Sequence, residues 1–294
     1  MASYDIRPLQ QHILKILLAV DKVCREHQLR YYMWAGTMLG AVRHKGFIPW
    51  DDDMDICMPR PDYECLMAHA HEWLPRPYEA VCAENDPRYP FPFGKIQDGS
   101  TTLIERAHID YLGGLYIDVF PLDGVPAGRV RRYLHFAHYE LQKRIIYFLH
   151  RDPYKHGRGP SSWVPLLCQR LTSNDRTQRR LRQIMMKYGY DDSQLVADYD
   201  DGSHGVLRKA VLGKPTAYVF EGETLLGVEH YHAYLSCKYG DYMTIPPHDH
   251  QRQHNFFYLD YHLPYSQYHD QRAFLRPADG KPHADGISRD SAAR

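Results

Sequence analysis

Trp34-Ala-Gly36-Thr37-Met-Leu-Gly40-Ala-Val-Arg43-His44-Lys45-Gly46-Phe-Ile-Pro49-Trp50-Asp51-Asp52-Asp53-Met54-Asp55-Ile56 joins a small-residue turn, a basic triplet and an acidic cluster in one run. Just before it, Tyr31-Tyr-Met-Trp34 is aromatic and reads as a strand. Gly36-Thr37 breaks that strand, and Met38 to His44 can start a short helix. Met54-Asp55-Ile56-Cys57-Met58 then alternates apolar and polar residues, as a half-buried strand does. On such a strand Asp53 and Asp55 share one side. Two carboxylates on one face repel, and burying them is costly unless a cation lies between them. Mg²⁺ suits that role, being a hard ion held by one or two carboxylates plus phosphate oxygens. Asp51 and Asp52 stand at the strand mouth, Asp51 as an accessory ligand and Asp52 as a structural residue. Gly36 lets a phosphate approach the backbone, and the Thr37 hydroxyl with a helix N-terminus can hold it. Arg43, His44 and Lys45 supply cations for further phosphate oxygens. An acidic surface turn beside a solvated basic patch is the ordinary alternative. The order of the parts argues against it.

Working outward, residues 8 to 28 read as an amphipathic helix, with Ile13, Leu14, Leu17 and Leu18 at helical spacing. Pro59 and Pro61 end the acidic strand, and Asp62 can cap the helix that follows. Residues 75 to 92 are proline-rich and read as irregular. Phe93 to Gln97 and Thr101 to Glu105 look like the two arms of a hairpin. Leu115 to Phe120 is a strand that stops at the turn Pro121-Leu-Asp123-Gly124. Residues 129 to 150 read as a long helix, 152 to 165 as a loop, and 173 to 188 as a helix. The arginines at 176, 179, 180 and 182 read as its wet face. Strand-like pieces follow, then a helix over Tyr231 to Tyr239.

Lys plus Arg equals Asp plus Glu, 36 against 36, so bulk charge gives no case for binding nucleic acid or an acidic membrane. The 44% apolar share is enough for a core. Six scattered cysteines without a Cys-x-x-Cys pair argue against a zinc ribbon or disulfide scaffold and fit a reducing cytoplasm. No signal peptide or membrane span is read from the chain. His150-Arg151-Asp152 copies a kinase tripeptide, but the required Asn is replaced by Gly157. The histidines at 230, 232, 248, 250 and 254 lack a matching ligand pattern and read as surface residues.

Gly36-Thr37-x-Leu39-Gly40-Ala-Val-Arg43-His44-Lys45-Gly46-Phe-Ile-Pro49-Trp50-Asp51-Asp52-Asp53-x-Asp55 closely resembles the signature of the LicD family. These are phosphotransferases of the nucleotidyltransferase superfamily, and fukutin-related proteins share the catalytic region. Gly114 to Gly124 is similar to the family's second block. Phe220-Glu221-Gly222 and Tyr239-Gly240-Asp241-Tyr242-Met243 with Pro246-Pro247 resemble its C-terminal blocks. The likeness spans about residues 10 to 258. Gly36-Thr37 stands where the superfamily often has Gly-Ser. Gln251-Arg252-Gln-His254 only approximates the basic residue and histidine that the family often places there.

The resemblance implies an α/β fold with a nucleotidyltransferase-like mixed β-sheet flanked by helices. It implies one catalytic domain over residues 1–270, with 125–218 a mainly helical acceptor-side region and 271–294 a disordered tail. It implies a third carboxylate on a neighbouring strand, which Asp118 fits, so that Asp53, Asp55 and Asp118 are the catalytic set and, with Asp51, the metal ligands. Gly36, Thr37, Arg43, His44, Lys45 and Lys95 are then the substrate-binding residues, although Lys95 reads equally well as a surface charge. Asp123 is the better structural aspartate.

The implied reaction is Mg²⁺-dependent, with Mn²⁺ an acceptable substitute. It moves a phosphocholine-like group from a CDP-activated alcohol to a hydroxyl of a glycan or glycolipid, releasing CMP. A nucleotidyltransferase using an NTP, or a DxD glycosyltransferase, would also use a metal-diphosphate site. The expected location is cytoplasmic, at the inner face of the membrane through peripheral contact.

Overall fold

A computed structural model describes residues 5–105, 111–151, 153–154, 159–251, 253–254 and 256–269. The tail expected over 271–294 lies outside the described residues. The chain opens with helix α1, Ile6–Glu26, capped by the Asp5 carboxylate, which accepts from the Arg7 N–H at 3.1 Å. Strand β1, Tyr32–Met33, leads into helix α2, Ala35–Arg43, and strand β2, Asp55–Pro59. Helix α3, Arg60–Trp73, and strands β3, Tyr78–Val81, β4, Gly94–Ile104, and β5, Gly113–Gly124, come next. Three helices follow: α4, Arg129–His150, α5, Pro160–Leu171, and α6, Asn174–Met185. The remainder is β6, Leu195–Asp198, β7, Val206–Arg208, α7, Lys209–Leu212, β8, Thr216–Phe220, β9, Glu223–Gly227, α8, Tyr231–Tyr239, and β10, Tyr258–Asp260.

The described strands form one mixed sheet in the order β10-β4-β5-β2-β1-β9-β8, with β3 on β4 and β6–β7 attached at the end of β5. It is the mixed, helix-flanked α/β sheet expected. β2 and β5 run parallel, and β4 is antiparallel to β5. The apolar stripe of α1, with Leu9, Ile13, Ile16, Leu17 and Val20, joins Ile56, Ile96, Ile117 and Val119 in the main core. A second cluster, built from Phe136, Tyr139, Leu181, Ile184, Met185 and Tyr199, sits under α4 and α6.

Several local expectations change. Residues 93–105 form one long strand rather than a hairpin. The Asp98 carboxylate accepts from the N–H and hydroxyl of Ser100 at 2.8 and 2.6 Å, making a local turn. Both halves still pair with β5, at Lys95–Asp98 and at Leu103, so the turn becomes a bulge within one strand. β5 continues through Pro121-Leu-Asp-Gly124, because that segment finds partners in β2 and β6. Residues 75–92 contain β3. Pro160 starts a helix inside the expected loop, in the first helical turn where a proline is tolerated. Asp62 lies inside the first turn of α3 and pairs with Arg30 at 2.7 Å instead of capping. Asp123 does hold a structural position, buried and clamped by Arg60 through two hydrogen bonds, one of them 2.8 Å.

Candidate active site

The sheet lines up the chemistry. Lys95 on β4, Asp118 on β5 and Asp55 on β2 are direct register partners across three adjacent strands. Partners in register project to the same face, so one face carries a cation and two carboxylates side by side. The chain enters β2 through Asp51-Asp52-Asp53-Met54. Asp53 precedes the strand rather than lying in it, yet Met54 already accepts from the Asp118 N–H at 2.9 Å. That bond ties the acidic loop to β5.

Asp118 is held in an unusual state. Its Oδ1 is buried, with no hydrogen-bond partner among the described residues. The Lys95 ammonium lies 3.5 Å away, beyond good hydrogen-bond geometry. Burial pushes the Asp118 carboxyl up to about 7; Lys95 opposes the rise, and Glu105, Asp53 and Asp200 add to it. Burial and the charges of Asp53, Asp118 and Asp51 likewise push Asp55 well above the carboxylate range. Asp51 is raised by burial and by the neighbouring Asp53. A group of carboxylates strained toward protonation, one oxygen of which is orphaned, is a donor set of hard oxygens that a divalent cation would relieve. Asp53, Asp55, Asp118 and Asp51 are the groups that could hold it.

Asp53 and Asp118 border a cleft of about 550 Å³. Lys95, Glu105, Tyr116, Lys143, Tyr147, Asp200, His254 and Phe256 line it too. Lys95 is 2% exposed rather than a surface charge. Its ammonium is bonded to Glu105 and sits 3.2 Å from the Tyr116 ring centroid. Glu105, Lys143, Asp200 and His254 escape the sequence reading. The Asp198-Tyr-Asp200-Asp201 run, after apolar Leu195-Val-Ala, repeats the acidic pattern of residues 53–55 and could have flagged Asp200.

His254 is exposed, as the surface reading of the C-terminal histidines expects, yet it has a partner at the acidic loop. Its N–H and Nδ1 both meet the Asp52 carboxylate at 2.8 Å, and Nδ1 lies 3.9 Å from Asp53. The bond to Asp52 raises the imidazole to about 9. Asp52, Asp53 and His254 bring three potential ligand atoms within 4.8 Å of one another. With Nδ1 and the backbone N–H both turned to Asp52, the contact ties the C-terminal segment to the acidic loop. Asp52 is 3% exposed and serves as its anchor.

The remaining expected residues fall into two places. Thr37 is buried, and its hydroxyl accepts from the Asp55 N–H at 2.8 Å, locking α2 to β2 at the carboxylates. A Cβ on Gly36 would lie 2.6 Å from Asp51 Oδ2, so only glycine leaves room for that carboxylate. Both residues therefore stand behind the acidic loop. The basic triplet sits at the other end of α2. Arg43 donates to the Tyr242 carbonyl at 2.8 Å, and its Nε meets His44 Nε2 at 2.8 Å. Lys45 is exposed, with φ +58°, and its carbonyl accepts from the Glu221 N–H. None of the three lines the cleft. Glu221, in the β8–β9 turn, accepts from the Phe47 N–H and pairs with Arg7, latching the loop that follows the triplet.

Fold and site together define a mixed α/β domain whose strand ends gather acidic side chains at a cleft. Residues 28–140 match the family described as "LicD/FKTN/FKRP, nucleotidyltransferase domain". The chain is similar to the lipopolysaccharide cholinephosphotransferase LicD of Haemophilus influenzae, at 26% identity over 87% of this chain and 97% of that protein. It also resembles uncharacterized proteins of Rickettsia prowazekii and Rickettsia typhi, each 36% identical over 17% of this chain and over 19% and 16% of theirs. The likeness to the LicD family thus rests on the domain match over residues 28–140 and on one distant relative along most of the chain.

Proposed function

We propose that this chain moves phosphocholine, or a closely similar phospho-alcohol, from a CDP-activated donor to a hydroxyl of a lipopolysaccharide-type glycan at the cytoplasmic face of the membrane. The observation that carries the reading is Asp118, a buried carboxylate raised to about 7 with one oxygen orphaned, in register with Asp55 and opening onto the cleft beside Asp53. The domain match and the name of the Haemophilus influenzae relative suggest the reaction class. Mg²⁺ held by Asp53 and Asp55, with Asp51 behind them, would offset the charge of the donor diphosphate.

A carboxylate near neutrality is suited to accept a proton at working pH, and we assign that role to Asp118. The acceptor oxygen bonds to the phosphorus that carries the alcohol, and its proton passes to an Asp118 oxygen. The bond from that phosphorus to the CMP oxygen breaks, and CMP leaves with the electron pair. Positioning and charge stabilisation dominate such transfers. Thr37 contributes by fixing the Asp55 backbone, and Lys95 by keeping a positive charge next to Asp118. The aromatic faces of Tyr147 and Phe256, with Glu105 and Asp200 nearby in the lining, suit the cationic head of a choline-type alcohol.

The test is to incubate the protein and Mg²⁺ with CDP-alcohols, NTPs and nucleotide sugars and follow nucleotide release. CMP release from CDP-choline, absent in Asp53→Asn of unchanged fold, is the expected result. Pyrophosphate release from an NTP would move the assignment to nucleotidyl transfer, and full activity in Asp53→Asn would remove the metal assignment.

A further inference from the structure

Helix α5 is built inside out. The residues it buries are Ser162 and Pro165, while Trp163, Val164, Leu167 and Leu171 are exposed by 67, 50, 55 and 65%. These four lie at i, i+1, i+4 and i+8, which on a helix is one stripe. Neighbouring α4, which packs against α5, turns a second stripe to solvent through Val130, Leu134 and Leu141, with Tyr133 beside it. A water-soluble surface rarely offers two adjoining apolar stripes without a partner.

The charge around these stripes is one-sided. Helices α4, α5 and α6 carry ten Lys or Arg against two acidic residues, Glu140 and Asp175, in a chain of zero net charge. Arg131, Arg180 and Lys187 converge on a groove of about 740 Å³ between α4 and α6, floored by Leu134 and Ile184. None of these three cations has an acidic partner among the described residues. Among the described residues no helix is long and apolar enough to cross a membrane. Apolar and aromatic side chains flanked by unpaired cations are the composition of a face that lies on an anionic bilayer.

We infer that α4 and α5 dock this protein on an anionic phospholipid bilayer, with the stripe of Trp163, Leu167 and Leu171 entering the headgroup boundary and Arg131, Arg180 and Lys187 engaging lipid phosphates. α4 also lines the cleft through Lys143, Ile146, Tyr147 and His150. Docking by this helix brings the cleft to the membrane, where a lipid-carried glycan would meet it. That consequence rests on the proposed acceptor; the docking itself does not.

The experiment is co-sedimentation of the full chain with vesicles of phosphatidylcholine alone or mixed with phosphatidylglycerol, in the absence of donor. Wild type sediments with the mixed vesicles and much less with phosphatidylcholine alone. The double variants Trp163→Ser/Leu167→Ser and Arg131→Glu/Arg180→Glu each lose about tenfold or more in vesicle binding. Their thermal unfolding and CMP release from CDP-choline without vesicles stay at wild-type values, because these residues are exposed and outside the cleft. Wild type remaining in the supernatant, or both variants binding as wild type does, overturns the inference. So does a sizing column on which Trp163→Ser/Leu167→Ser turns a wild-type dimer into a monomer, since the face would then belong to a second copy. Vesicle binding without any CMP release by wild type would keep the docking and sink the phosphotransfer reading.

Discussion

The acidic and basic halves of the 34–56 stretch are neighbours in sequence but occupy different parts of the molecule. Helix α2 lies between the turn and the basic triplet; it has 9 residues and at about 1.5 Å rise per residue separates its ends by roughly 13 Å. Its N-terminal end carries Gly36 and Thr37 against Asp51 and Asp55. Its C-terminal end carries Arg43, which donates to the carbonyls of residues 242 and 244, with His44 against its Nε. The acidic half is strained by mutual repulsion and faces Asp118 of β5, whose Oδ1 lacks a hydrogen bond, whereas Arg43 is bonded to two backbone carbonyls. Unsatisfied groups are poised for a ligand, and satisfied ones hold structure. The contrast assigns chemistry to one end of the helix and scaffolding to the other.

The largest expected effect is at Asp118. Asp118→Asn lowers phosphotransfer by about a thousandfold or more, the upper range for losing a positioned proton acceptor and a charge at the metal. Without metal the same variant is the more stable protein at high pH. The folded carboxyl is raised from 3.8 to about 7, so its stabilising contribution is complete below about pH 4 and is lost as pH rises through about 7. Wild type therefore falls behind Asp118→Asn by on the order of 4 kcal/mol above neutrality. The gap closes near pH 4, as urea unfolding in EDTA would report. Mg²⁺ restores wild type and stabilises the variant less, since Asp53 and Asp55 remain but one carboxylate is gone. A variant less stable than wild type above neutrality would mean that Asp118 is held by Lys95 as a structural pair, and the contrast between the two ends would collapse.

Gly36→Ala should come next. The added methyl collides with Asp51 Oδ2 at 2.6 Å, while the helical backbone accepts alanine without strain. Displacing Asp51 disturbs the neighbouring Asp53, with which it interacts electrostatically. Turnover at saturating donor should fall by about 10- to 100-fold, with more Mg²⁺ needed for half-maximal rate. Unchanged kinetics would show that Asp51 plays no part in holding the metal.

Much of this was legible in the sequence because it is local. The 3.6-residue periodicity of α1 is written in adjacent residues; β2 forms where the alternation places it, but all five of its residues are buried rather than every second one. The pairing of Asp53–Asp55 with a strand at 115–120 was legible too, since the second block carries its own aspartate. The register that sets Lys95 beside Asp118 was not legible, because it depends on β4 ignoring a turn signal at Asp98-Gly-Ser. The sheet partner overrides the local preference there. His254 was lost for a related reason: its partner Asp52 lies 202 positions away, and a lone histidine carries no periodic signal. α5 defied its own pattern, because its apolar face points outward and a proline sits within it.

The smallest effect should come from the basic half. Arg43 donates to the Tyr242 carbonyl at 2.8 Å and to the Thr244 carbonyl at 3.4 Å, and burial lowers its pKa with no carboxylate beside it to oppose the shift. Arg43→Ala leaves the partly buried Tyr242 carbonyl without its guanidinium donor, a loss of about 1 to 2 kcal/mol in chemical unfolding. Donor KM should change by less than about threefold, since a residue that does not line the cleft gives up no donor contact. Lys45→Ala, on an exposed residue, should move neither quantity. A rise in donor KM beyond about tenfold in either variant would mean that the donor reaches past the cleft to the far end of α2. The triplet would then serve the phosphates after all, and the division of this stretch into a chemical end and a structural end would give way to a single extended donor site.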